Sequence, residues 1–390
     1  MKIKLDHLGQ LCAAISSEKN PCVFSVGIHL KEPLLPCRLQ EAVNDIMKRL
    51  PHMNVREYSG FMNYYNQLLN KPLKIEKENG EKPCRFFVKG SSLLRIIYGK
   101  RHFILEAFHS VCDGRGLALV ASSLLIRYYE IMGEKLDKNN FIDCMGAAHI
   151  EETEDAYVRY ANIRKSKSEK VENVYVPKYT SAEPQIVTRK FDLSKLKRKA
   201  KTYGVTITEY VMAHIFRELA RQRAKDGSNK PITINVPIDC RSFFPSGSLR
   251  NFVSHKIIKM PESLVFKEIV LSIKKQLAEI TSDYVQDKIS DAERMKRLGR
   301  FVPLFVKKWI IRSVGQSISA GCSTDFSNLG LIKLPAEIQG KIDMYTFALA
   351  VVPNTPYQFA CVAIGNTLTL TITTVSSTDI IDRIGNTLLE

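Results

Sequence analysis

The sequence lacks paired cysteines. Nine are present, at positions 12, 22, 37, 84, 112, 144, 240, 322 and 361, and no two are spaced Cys-x-x-Cys. An odd, scattered set argues against a disulfide framework or a zinc ribbon. It argues for reduced, mostly buried thiols in a cytoplasmic protein. Long apolar runs are missing as well. None reaches the ~18 residues that span a bilayer, and the longest helical candidate, 116–126, is closed by Arg127. Lys2 and Lys4 precede only a short apolar stretch broken by Gln10, so neither a signal peptide nor an integral membrane segment is expected. Acidic charge is scarce: 40 Asp and Glu face 57 Lys and Arg, a net charge of +17. That excess suits an anionic partner such as nucleic acid, anionic lipid or a phosphate-rich small molecule, and equally a plain solvated surface. It is locally dense only at 164–170 and 294–312. Zinc-finger spacing, an RNA-recognition motif and interleaved aromatic and basic residues are all missing, which sets nucleic acid aside.

What is present reads as a globular chain. With 390 residues, 45% hydrophobic and 25% charged, it is long enough for two domains or one large double-layered unit. Phe24, Val26, Ile28 and Leu30 alternate as a strand does. Leu39, Val43, Ile46, Met47 and Leu50 recur at helical spacing until Pro51 stops them. A hairpin is expected over 53–65, strands over 94–98 and 102–108, and a largely buried helix over 117–132. Composition turns charged and poor in aliphatics over 151–184, which reads as a partly helical crossing between halves 1–175 and 176–390. The second half offers a strand at 186–191, a helix capped by Asp192 or Ser194, and a helix capped by Thr208. Strands at 232–236 and 254–260 and a helix over 263–283 follow. The segments 347–352, 358–364 and 367–375 read as a meander with a tight turn at Gly365-Asn366, before a closing helix over 377–389. The helix 301–313 carries Lys307, Lys308 and Arg312 beside Phe301, Phe305, Trp309 and Ile310. Its pattern fits a membrane surface, but packing on the second half is the commoner fate and is expected here. The fold class is therefore α/β (α+β), each half a mixed sheet with helices.

The run Phe108-His109-Ser110-Val111-Cys112-Asp113-Gly114 carries the most chemistry. It sets a histidine at the end of a strand, four residues before an Asp-Gly that opens a helix. An imidazole, with an ordinary pKa near 6.5, serves as a general base at neutral pH. Gly114 and Gly116 give the chain room to turn. A strand-end histidine beside a helix-capping aspartate is the plain structural alternative. Cys112 reads better as a small buried residue than as a nucleophile.

Three further segments fall in a suggestive order: Gly204-Val205-Thr206-Ile207-Thr208 entering a helix; Asn235-Val236-Pro237-Ile238-Asp239-Cys240-Arg241, followed by Pro245 and Asn251-Phe252; and Asp325-Phe326-Ser327-Asn328-Leu329-Gly330. With the histidine motif they resemble, over nearly the whole chain, the chloramphenicol-acetyltransferase-like superfamily. That group holds plant acyl-CoA-dependent acyltransferases, alcohol acetyltransferases, mycobacterial polyketide-associated acyltransferases and the condensation domains of peptide synthetases. The resemblance implies two similar subdomains with an active-site tunnel between them. His109 would act there as general base, worth roughly 10²–10⁴ in rate, by direct attack in a ternary complex. It implies that Asp113 is structural, pairing with Arg241, and that Gly114 belongs to the same turn. It offers Ser327 and Asn328 as oxyanion donors, although plant members carry Asp-Phe-Gly-Trp-Gly where this chain has Asp325-Phe326-Ser327-Asn328-Leu329-Gly330. Condensation domains carry two successive histidines; here Phe108 stands in the first place, which favours a free-standing enzyme.

The expected activity is thus transfer of an acyl group from acyl-CoA to a small-molecule alcohol or amine, by a monomer with no permanently bound cofactor and no metal. Lys256, Lys259 and Arg250 are placed beside the tunnel as phosphate-binding candidates, with plain surface charge as their alternative. The second reading keeps the chemistry and takes the acyl group from an acyl carrier protein. A distant third is a non-catalytic binding protein using the basic surface.

Overall fold

The computed structural model describes residues 1–82, 84–162, 173–181, 183–319, 321–352 and 354–389, with backbone alone for 314–319. The basic run 164–170 lies outside the described residues. The described residues form three sheets. A mixed six-stranded sheet runs Val253–Lys259, Thr233–Asp239, Thr324–Ile332, Tyr357–Ile364, Thr367–Thr374, Gln185–Asp192. A five-stranded sheet runs Ile342–Leu349, Val23–Leu30, His102–Phe108, Leu94–Tyr98, Glu76–Lys77. A small one joins Lys2–Lys4, Tyr64–Leu68 and Val55–Ser59. Helices Pro36–Arg49 and Gly114–Ile131 pack against each other on the first half, and Ile207–Lys225 packs with Phe266–Ala278 and Asp379–Leu389 on the second. This is a two-lobed mixed α/β architecture.

The strand Tyr357–Ile364 is buried along its whole length. Successive side chains point to opposite faces of a strand. Ala360, Val362 and Ile364 accordingly join the core of the first half, while Phe359, Cys361 and Ala363 join that of the second. A strand walled on both faces shows no polar alternation, so its continuous apolar sequence follows from its place. Burying each large aliphatic or aromatic side chain stabilises by about 1.5–3 kcal/mol, and this strand contributes to two cores at once.

The expected meander is corrected here. Tyr357–Ile364 and Thr367–Thr374 do form a hairpin about Gly365 (φ +54°), but Ile342–Leu349 leaves them and pairs antiparallel with Val23–Leu30 in the other sheet. The helix cap expected at Thr208 is Thr206, whose hydroxyl accepts from the Glu209 amide while the Glu209 carboxylate accepts from the Thr206 amide. The helix expected over 263–283 ends at Ala278, and a new one, Ser282–Leu298, starts on the Thr281 cap. The amphipathic helix is Leu304–Ser319, and it packs on helix His7–Ile15 of the first half, not on the second. Arg312 donates to the Ala14 carbonyl and Lys307 to the Met62 carbonyl, so these long cationic stems lie inward while Phe305 and Trp309 face water. Among the described residues, no helix is long and apolar enough to cross a membrane. All nine cysteines are free thiols, and all but Cys37 are buried.

Candidate active site

The strand His102–Phe108 ends at a tight turn in which Val111 N–H donates to the Phe108 carbonyl. His109 leads this turn, its own amide bonded to the Cys22 carbonyl. Asp113 closes it as N-cap of helix Gly114–Ile131, accepting from the Gly116 amide at 2.8 Å. Cys112 is fully buried, and burial drives its thiol pKa well up, so it is neutral packing.

The second Asp113 oxygen faces the other half. It accepts from Arg241 Nη1 at 2.8 Å and from the Phe252 amide at 2.9 Å. Arg241 is saturated: it also donates to Asp239 and to the Ser248 and Arg250 carbonyls. Asp113 therefore has no free oxygen for proton transfer; it joins the histidine turn to the loop before strand Val253–Lys259. The glycines act by closeness. A Cβ on Gly116 would sit 2.3 Å from the Leu249 carbonyl oxygen, and one on Gly114 would meet Phe347 and Leu329 at 3.1 and 3.2 Å. Neither has a positive φ, so the expected release of a sharp turn gives way to close approach of the second half.

His109 is half-buried, its ring 4.4 Å from that of Phe24. Asn251 holds it from the other half. Asn251 Nδ2 donates to the His109 carbonyl at 2.6 Å and to the Asp6 carboxylate at 3.1 Å, which leaves Oδ1 facing His109 Nδ1 at 3.4 Å. That orientation assigns the proton to Nδ1 and the lone pair to Nε2. Burial lowers the His109 pKa to about 4, against the opposing pull of Asn251 and Asp113, so the ring is neutral at pH 7. Asp6 is completely buried; it caps helix His7–Ile15 through the Gly9 amide and receives Arg250. Burial raises its pKa, with Arg250 opposing.

Asp6 and the role of Asn251 were not read from the sequence. Asp6 carried one local signal, an N-cap aspartate before a helix; its partnership with Asn251 spans 245 residues and leaves no local trace. Arg250 corrects its expected place beside the tunnel: it is buried, donating to the Lys4 and Thr153 carbonyls and to Asp6.

The strand Thr324–Ile332 pairs with Thr233–Asp239 only at Thr324 and Asp325, then diverges. Asp325, Ser327 and Leu329 alternate onto one face. Asp325 acts on His255 and Leu329 lies against Gly114, and Ser327, partly buried, falls between them along the strand. Asn328 is placed otherwise. Its Nδ2 donates to Thr208 and its Oδ1 accepts from the Gly330 amide, at a bulge where Gly330 has φ +74°. Its side chain is thereby committed to these two partners.

A cavity of about 850 Å³ opens along strand Val253–Lys259. His7, Tyr157, His255, Lys256, Lys259 and Lys288 are among its lining residues, and His109 is not. Asn251, which holds His109, lies two residues before that strand. Lys256 and Lys259 are on this wall, and Lys256 is paired there with Glu279 at 2.9 Å. Among the described residues, no cluster of His, Cys, Asp or Glu is arranged to hold a metal ion.

No known family pattern matches the sequence, and no curated protein does. Solved structures do match. The chain superposes over its full length on polyketide synthase associated protein 5 from Mycobacterium tuberculosis (14% identity, TM-score 0.67, 96% of that chain). It also matches the condensation domain of the Monacolin K polyketide synthase (11%, 0.61, 96% of that chain) and the epimerization domain of the third module of tyrocidine synthetase B (10%, 0.61, 94% of that chain).

Proposed function

We propose that this chain, which shares the two-lobed, condensation-domain-like fold of the structures it superposes on, is a condensation-type acyltransferase whose donor is an acyl thioester on a carrier protein and whose acceptor is a hydroxyl or amine. The observation that carries this reading is His109, neutral and held through Nδ1 by Asn251, with Nε2 free to accept a proton. In the reaction Nε2 takes the acceptor O–H or N–H proton as that atom attacks the thioester carbonyl. The new C–O or C–N bond forms, the C–S bond breaks, and the proton passes from His109 to the departing thiolate. Ser327 is taken as the oxyanion donor of the two candidates, because the Asn328 side chain is already bonded to Thr208 and to the Gly330 amide. Asp113, Gly114 and Arg241 hold the two halves in register around the histidine.

Carrier-borne donors are favoured over free acyl-CoA because the structural relatives are, by their names, parts or associates of polyketide and peptide synthetases. A basic chain at net charge +17 also suits an acidic carrier. Acyl-CoA is the second reading, supported by Lys256, Lys259 and Lys288 on the cavity wall. Both donors present the same phosphopantetheine arm. The test pairs acyl-loaded carrier proteins with acyl-CoA of matched chain length, against a panel of amines and alcohols, and follows thiol release and product mass. Faster turnover of the carrier-borne thioester is expected. Preference for acyl-CoA would select the second reading, and no turnover of any thioester would overturn both.

A further inference from the structure

The single tryptophan of the chain, Trp309, is 72% exposed. It does not stand alone. Phe305 (73%) and Trp309 stand one turn apart on helix Leu304–Ser319 with Ile310 (43%), while Phe301 (79%) lies in the short turn Gly299–Phe301 just before it and Leu298 (71%) ends the preceding helix. Phe61 (75%) joins them from the turn between strands Val55–Ser59 and Tyr64–Leu68, because the Leu304 amide donates to its carbonyl. Between 294 and 312 the sequence holds seven Lys and Arg and no Asp or Glu. Arg300 lies over the Phe301 ring and has no ion-pair partner among the described residues, and Lys308 directly precedes Trp309. Met295, three residues before Leu298, lines the 850 Å³ cavity.

We propose that this face docks the protein peripherally on an anionic lipid bilayer, next to the cavity. Aromatic and aliphatic side chains that protrude, flanked by cations, are the arrangement by which a helix beds into the headgroup boundary. Anionic headgroups complement Arg300, Lys308 and the overall positive charge. A folded partner would have to offer a matching pocket for each protruding ring, whereas lipid chains conform to them. The proposal does not rest on the acyl-transfer reading.

Trp309 is its own reporter. The full chain is mixed with vesicles of phosphatidylcholine alone, or rich in phosphatidylserine, and tryptophan emission, iodide quenching and co-flotation are measured. Anionic vesicles are expected to shift the emission to the blue, cut iodide quenching severalfold and carry the protein to the top of the gradient. Neutral vesicles should do far less. Replacing Phe301 and Phe305 by serine, with folding verified by circular dichroism, should lower the vesicle-bound fraction by about tenfold. Arg300→Glu with Lys308→Glu should remove the preference for anionic lipid. An unchanged spectrum with anionic vesicles overturns the proposal. So does a blue shift that grows with protein concentration without lipid, which means a second copy covers the face, or one produced only by an acidic carrier protein.

Discussion

His109 performs its proposed role only while its ring is neutral and aimed. Burial lowers its pKa to about 4, so the base form persists through mildly acidic solution. The acidic limb of kcat/KM is therefore expected near pH 4 and not near 6.5; a pH–rate profile with acyl thioester checks it. Asn251→Ala should lower kcat/KM on the order of 10²-fold by loosening the ring. Because Asn251 raises the His109 pKa, the same variant should also move the acidic limb further down. A merely structural asparagine would leave that limb in place. His109, Asp113 and Arg241 were legible in the sequence because each sits in a short patterned run. Asn251 was legible only as part of such a run, without its role. Its bond to the His109 carbonyl spans 142 residues, and local patterning carries no record of so long a closure.

The helix Gly114–Ile131 is seated by what its first turn omits. Gly116→Val would drive a side chain into the Leu249 carbonyl oxygen, which approaches to 2.3 Å of the Cβ position. The helix start would have to withdraw, at about 1–3 kcal/mol, which a denaturant midpoint would show. Arg241→Leu removes the partner of a buried carboxylate and should cost about 3–5 kcal/mol. Strands Leu94–Tyr98 and His102–Phe108 lie where the sequence put them, at 94–98 and 102–108. The strand Ile342–Leu349 was misassigned because its pattern reports one buried face but not which sheet supplies it. The amphipathic helix likewise announced an apolar face without saying whether protein or solvent would meet it, and here the stems of Lys307 and Arg312 took the inner side.

At the scale of the molecule, two large cores share one strand, and buried histidines sit within the fold. His52 and His214 are buried; burial lowers the first to about 4 and the second to about 3. The unfolded chain binds these protons below pH 6.5 and the folded chain does not, so stability is full above that pH and falls as pH drops toward 4. At pH 5 the loss should be on the order of 2 kcal/mol for each of the two, seen as a lower denaturation midpoint than at pH 7.5. The two-lobed α/β class was legible from the succession of strands and helices in both halves. The exchange of Ile342–Leu349 between sheets was not, since strand pairing over three hundred residues has no local signature. What this architecture is proposed to do depends on one proton acceptor at the junction of its halves. The most direct measurement compares wild type with His109→Ala in acyl transfer from a loaded carrier protein, with both proteins shown to be equally folded. A rate lower by 10²–10⁴ in the variant is predicted; equal rates would contradict the account.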